Sequence, residues 1–296
     1  MNTNKLMDYG GMRLYCLDGT DIQEAKEALA TGSAKGLAVA RCRGFTMSDL
    51  AVLDVFKNLN VLVIFDAADI DISLIQNIKT LKYLSLPDTT CDLDLGLFRD
   101  LEHLRYTASK NIRMPQSGLS MLQELAVWAF PENNLISLSN YRSLRSLEII
   151  QAKKLVSLNG IQFCQELSNL VVAYCPALMD ISELHASKAL KNLDFENVRR
   201  IESYSSLSNL INLEKLIIDK AAILNDLEFI PKLRNLRSVV IRSTPIKSCD
   251  LSPLKYLPLL SHLYLDKKKE YEPVLRQLKE QVAFKSESIK LSNANK

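Results

Sequence analysis

Few side chains in this 296-residue chain are able to do chemistry, and they are scattered. His103, His185 and His262 are its three histidines, the first candidates for metal ligands or general bases. A zinc site needs three or four ligands converging on one point. Nothing in the spacing of these three brings them together. Six cysteines (Cys16, Cys42, Cys91, Cys164, Cys175, Cys249) include no CxxC pair, so the spacing of a metal ribbon or a redox motif is missing. Cys164 and His185 would form a nucleophile–base pair only if folding placed them within hydrogen-bond reach. Asp8-Tyr9-Gly10-Gly11-Met12 is glycine-rich but lacks the Lys-Ser/Thr of a phosphate loop. No G-x-S-x-G elbow occurs. The residues therefore predict no enzyme, no catalytic residues, no metal and no cofactor.

Composition narrows the classes further. Hydrophobic residues make up 47% of the chain and charged residues 24%, which suits a globular core. A net charge of +3 is too mild for a nucleic-acid binder, whose basic residues dominate a face. The start, Met1 to Asp8, has no apolar h-region, and no run approaches the roughly 20 apolar residues of a spanning helix. These features, with unclustered cysteines, predict a cytoplasmic protein with reduced thiols and no membrane partner.

The elements that would position any site follow from a repeat. One phrase recurs: an apolar residue, two others, an apolar residue, one other, an apolar residue. It begins at Leu59, Leu81, Leu101, Leu122, Leu144, Leu167, Leu190, Leu213, Leu236 and Leu260, with a weaker copy at Leu37. Steps between the ten starts run from 20 to 24 residues, and most are 22 or 23. Within the phrase the alternation has period two, so the fourth and sixth positions share one side of a short strand. One such strand cannot bury its apolar side alone, and stacked units can.

This pattern, over residues 35–266, resembles the leucine-rich-repeat family, and within it the short units of bacterial internalins. The resemblance implies an α/β leucine-rich-repeat solenoid, a curved horseshoe. Its concave face would be a parallel sheet of about eleven strands, with short 3₁₀ or helical segments on the convex side. The chain departs from the family where an asparagine often stands three residues after the third apolar position. Those positions here hold Thr89, Ser109, Phe130, Ala152, Cys175, Val198, Ala221 and Thr244.

The ends of such an array need caps. Residues 1–34 read as an N-terminal cap: a strand Arg13-Leu14-Tyr15-Cys16-Leu17, then a helix opened by a Thr20–Gln23 capping box and stopped at Gly32. Residues 267–284 read as a C-terminal capping helix, with Val274, Leu275, Leu278 and Val282 at helical spacing. Residues 285–296, rich in Ser, Asn and Lys, read as a disordered tail.

The third, fifth and seventh positions of each phrase would face the concave surface, and they vary from unit to unit. They include Phe65, Tyr83, Arg105, Glu124, Trp128, Glu148, Asp194, Glu196, Asp219 and Tyr264; Tyr174 follows in the eighth position. Trp, Tyr and Arg are the side chains most enriched at interface hot spots. The sole tryptophan, Trp128, is expected near Tyr83, Arg105 and Tyr174. The carboxylates make the middle of the face acidic, which suits a basic partner. The expected function is a protein-binding scaffold that is monomeric when free: an immunity protein neutralising a basic toxin or effector domain. The alternative is an adaptor or regulatory subunit. As a core position, Leu193 supplies a first test. Leu193→Ala should cost about 2–5 kcal/mol, measured by chemical denaturation; a cost near zero would mean the phrase has been read in the wrong register.

Overall fold

The computed structural model describes residues 5–66, 70–113, 115 and 119–283. The expected tail at 285–296 lies outside the described residues, as do Met1 to Asn4 and Phe284. The chain divides after Ala129 into two compact units.

The first unit opens with β1 (Leu6–Tyr9) and β2 (Met12–Leu17), followed by α1 (Ile22–Ala30). Then come β3 (Gly36–Val39), β4 (Val61–Ile64), β5 (Tyr83–Leu86), β6 (Leu93–Asp94), β7 (His103–Thr107), β8 (Ile112–Arg113) and β9 (Glu124–Trp128). The main sheet runs β1-β2-β3-β4-β5-β7-β9. Only the β1–β2 pair is antiparallel, and β6 pairs with β8 in a small parallel sheet of its own. The second unit carries β10 (Ser146–Ile150), β11 (Asn169–Ala173), β12 (Asn192–Glu196), β13 (Lys215–Asp219), β14 (Ser238–Arg242) and β15 (His262–Leu265), all parallel. A helix at residues 274–283 follows, with Leu275 and Leu278 buried. Among the described residues no helix is long and apolar enough to cross a membrane.

Register explains the core. Leu170, Leu193 and Leu216 are partners across β11, β12 and β13, and so are Val172, Phe195 and Ile218. Each is at most 1% exposed, so the fourth and sixth positions form continuous buried columns.

Two recurrent devices turn the chain between strands. After β9, β10, β11, β12, β13 and β14, the next residue takes the left-handed conformation: Ala129, Gln151, Tyr174, Asn197, Lys220 and Ser243, with φ between 49° and 58°. That region costs a non-glycine residue of the order of 1 kcal/mol. The backbone N–H offsets the cost by reaching the last carbonyl of the next strand: Gln151 to Ala173 at 2.9 Å, Tyr174 to Glu196 at 2.8 Å, Asn197 to Asp219 at 2.8 Å and Lys220 to Arg242 at 2.9 Å. The step drives the following residue inward. Phe130, Ala152, Cys175, Val198, Ala221 and Thr244, which occupy the positions of the missing asparagines, are all buried.

The second device opens the return segments. A short polar side chain accepts the N–H two residues on. Asp49 bonds Ala51, Asp71 Ser73, Asp94 Gly96, Asn134 Ile136, Asp180 Ser182, Asp226 Glu228 and Asp250 Ser252, all at 2.8–3.0 Å. Ser157 and Ser203 do the same for Asn159 and Ser205. Most of these bonds open a 3₁₀ segment, such as Ser182–Ala186 or Ser252–Tyr256. They satisfy donors that a short helical turn leaves unpaired.

The expected capping box is corrected by the structure. Asp21 occupies the N-cap of α1 without a side-chain cap bond, and Gln23 Nε2 donates to Glu27 Oε1 at 3.0 Å. Asp18 instead orders the turn that leads into the helix, accepting from the Thr20 N–H at 2.7 Å, the Thr20 hydroxyl at 2.9 Å and the Asp21 N–H at 3.2 Å. The Thr20 hydroxyl is thereby used as a donor to a carboxylate, a stronger bond than one between neutral groups.

The Ser N–H and hydroxyl groups hold the carboxyls of Asp71, Asp180 and Asp250 below the ordinary aspartate range. A depressed folded pKa means the contribution is present above the unfolded value of about 3.9 and is lost as pH falls through the folded value. At pH 7, Asp180→Ala should cost about 0.5–1 kcal/mol and Asp180→Asn, which keeps the acceptor, much less. Urea denaturation should show the wild-type advantage over the alanine variant shrinking toward pH 2; an advantage independent of pH would contradict the assignment.

Candidate partner-binding face

The strand positions between the core columns form the exposed side of each unit's sheet, and their side chains are engaged with one another. In the first unit, β1 folds alongside β2 through the two-residue turn Gly10-Gly11, both at positive φ (+55° and +79°). Met7, Tyr9 and Met12 pack against a buried cluster of Leu14, Cys16, Ala38 and Val63, joined by Val61 and Tyr83. Val63, a face position, is thereby fully buried. Tyr9 meets Phe65 edge-on at 5.3 Å and Tyr83 edge-on at 6.5 Å, and Tyr83 stacks on His103 at 5.7 Å. Burial and the neighbouring Tyr9 push the Tyr83 phenol upward. His103 Nδ1 approaches Glu124 Oε2 to 3.0 Å, a close contact without hydrogen-bond geometry. The Arg105 guanidinium lies over the Trp128 ring at 5.5 Å.

The expected residues thus divide. Phe65, Tyr83, Arg105, Glu124 and Trp128 all stand on the first unit's strands or directly after them, and β1 covers part of that face. Trp128 is partly exposed and lies under the Arg105 guanidinium; Tyr174 belongs to the second unit. His103 holds the third position of its phrase, a face position, whereas Tyr9 was not among the expected residues. Tyr9 was legible in principle, because a Gly-Gly pair between alternating apolar residues marks a hairpin.

In the second unit Glu148, Asp194, Glu196, Asp219 and Tyr264 fall on β10, β12, β13 and β15, with Tyr174 just after β11. Tyr174 (42% exposed) donates its hydroxyl to Glu196 Oε1 at 2.7 Å, and Tyr264 is 47% exposed. Asp219 departs from the expectation of an accessible carboxylate: it is 2% exposed and paired with Arg242. The Arg242 guanidinium holds Asp219 below the ordinary carboxylate range. Asp194 behaves oppositely. Desolvation and the charge of Glu196 push its carboxyl up, against the pull of Lys215. Glu196 and Asp219 are direct partners across β12 and β13, a like-charge pair that Arg242 and the Tyr174 hydroxyl relieve.

Nucleophile chemistry finds no support in the placements. Cys164 Sγ is buried 3.9 Å from the Leu138 carbonyl, and His185 Nδ1 sits 2.9 Å from the Ser182 carbonyl. Burial pushes the Cys164 and Cys175 thiols up to about 11, away from the thiolate form. Among the described residues no three His, Cys, Asp or Glu side chains are grouped to hold a metal ion.

As the only tryptophan, Trp128 gives a clean test of this geometry. Trp128→Ala should keep a cooperative melt and cost less than the roughly 3–5 kcal/mol of a core aromatic. Loss of the cooperative transition in thermal circular dichroism would place the indole in the core.

No protein-family model and no curated protein sequence matches the chain. Solved structures do. An internalin (InlF) from Listeria monocytogenes superposes with a TM-score of 0.63 at 20% identity, over 78% of this chain and 67% of that one. TLR13, solved in a complex with ssRNA13, superposes with a TM-score of 0.57 at 17% identity, over 78% of this chain but 36% of the receptor. A long sheet of parallel strands one repeat apart is what these proteins share with it, and the chain is a protein of the leucine-rich-repeat fold.

Proposed function

We propose that the chain is a protein-binding scaffold that engages one partner through the exposed side of its strands. The partner would be a basic toxin or effector domain that the chain neutralises in the cytoplasm, as a monomer before binding. The observation that carries this reading is the Arg105–Trp128 pair, partly exposed on a face whose columns are otherwise released from the repeat rule. A rigid aromatic backed by arginine is the composition of an interface anchor. Glu124 and Glu148 add negative charge to strand positions, and Asp194 and Glu196 add more in the second unit. Those carboxylates favour a basic protein surface and oppose nucleic-acid phosphate, although TLR13 is seen with RNA.

The experiment is capture from the native cell lysate with three baits: the wild type, Arg105→Glu/Trp128→Ala and Glu148→Ala. One stoichiometric basic partner, with an enzymatic activity that falls when purified chain is added, is the expected result. The double variant should capture at least about tenfold less of it, a loss of about 1.4 kcal/mol. Equal capture by all three baits would remove the face from the interaction. A set of substoichiometric proteins with uninhibited activities would replace neutralisation by the adaptor reading.

A further inference from the structure

A second surface in the first unit is built from the returns and not from the strands. It is a groove of about 650 Å³ between the C-terminal end of α1 and residues 55–60. Phe56 and Leu59 are buried at its base, Leu29 is partly exposed, and Val55 stands 45% exposed at its lip. Three lysines rim it: Lys26, Lys35 and Lys57. All three are exposed, and none of their ammonium groups has a partner among the described residues. No carboxylate lines the groove. Some lysines of the chain do face carboxylates, as Lys5 faces Asp18, Lys82 Glu102 and Lys191 Glu214; what sets this groove apart is three lysines around one apolar depression that no carboxylate lines.

Three unpaired like charges around one apolar depression do nothing for the stability of the fold, since their mutual repulsion opposes it. The carbonyls at the end of α1 do not hold them either. Thr31 covers the Glu27 and Ala28 carbonyls through its hydroxyl at 2.8 and 3.3 Å, and Gly32 N–H reaches the Leu29 carbonyl at 3.1 Å. The groove also presents the exposed side chains of Asn58 and Asn60. The Asn60 main-chain carbonyl is already used by the Lys82 and Tyr83 N–H groups, so the side-chain amide is what this residue offers a ligand.

We propose that this groove docks an extended acidic segment of a protein partner. One apolar side chain would seat on Leu29, Val55 and Phe56, with flanking carboxylates on the three lysines and the asparagine amides on the peptide main chain. The size matches ordinary ligand clefts, and the combination of an apolar base with convergent polar groups is their usual make-up. An apolar base argues against a free inorganic anion, which would gain nothing from it. The site is independent of the strand face: it shares no residue with it.

The test uses the full chain and a fluorescein-labelled probe peptide of sequence Glu-Asp-Leu-Glu-Phe-Glu-Asp-Leu, followed by anisotropy. Saturable binding is expected, weakened about tenfold or more by Lys35→Glu/Lys57→Glu and by Val55→Asp. It should also weaken about tenfold for a probe with serine in place of each Leu and Phe. Arg105→Glu/Trp128→Ala, the variant that tests the strand face, should leave it unchanged, so the two readings fail separately. Thermal melts confirm that each variant is folded, and Lys26→Ala supplies a milder change on the same rim. The proposal is overturned by absence of saturation up to about 1 mM probe, by binding indifferent to the lysine variants, or by binding lost with the strand-face variant. Equal affinity for the serine probe would also overturn it. So would retention on phosphatidylserine vesicles without peptide binding, which would make the groove a lipid contact.

Discussion

A strand of four or five residues in this chain cannot bury its own apolar side, and every other feature answers to that constraint. Leu193 and Phe195 are covered because Leu170 and Val172 lie on one side and Leu216 and Ile218 on the other. Stability of such an array is approximately a sum of each repeat's own contribution and the contacts with its neighbours. Register is held by the strands and not by the length of the returns: the 20-residue step still sets Leu104 beside Leu84, and the 24-residue step still sets Leu263 beside Val239.

Stacking sets the backbone a second problem, because the chain must turn sharply at each strand end without leaving polar groups unpaired. The left-handed residue and the short polar cap solve it once per unit, at opposite ends of the return. Cys175 shows how the first device relaxes the family's pattern. Its preceding residue, Tyr174, turns the chain inward and bonds the Glu196 carbonyl, so the next side chain need only be apolar. Among the residues that follow a left-handed one, Thr244 keeps a polar function: its hydroxyl accepts the Ala221 N–H and donates to the Arg242 carbonyl, each at 3.0 Å.

The core and the strands were legible because they repeat. Period-two alternation at Leu190–Phe195 states both the strand and its buried side, and nothing nonlocal competes with it. The caps of the return segments left a signal that the sequence reading did not use: Asp49, Asp71 and Asp94, and later Asp180 and Asp226, recur at the repeat spacing. The site was harder to read. Burial of Asp219 depends on an arginine one strand away, and the covering of Val63 depends on a hairpin from the chain's start. Such pairings are set by tertiary neighbours, and a single column of residue types does not contain them. Local chemistry misled at α1 as well, where Thr20 and Gln23 fit a capping box but the N-cap is Asp21 and the Thr20 hydroxyl donates back to Asp18.

Internal pairing changes what the acidic residues can contribute to an interface. A cationic group approaching Asp219 must displace Arg242, and one approaching Glu196 must compete with the Tyr174 hydroxyl. Each exchange replaces one charged contact by another, so its net gain is small. Asp194, whose carboxyl is raised by desolvation and by Glu196, gains more from a positive neighbour than the others do. Charge on this face is therefore suited to orienting an encounter and rejecting acidic surfaces. In the interface proposed above, affinity would come from apolar area, which Trp128 and the aliphatic part of Arg105 offer in the first unit and Tyr264 offers in the second.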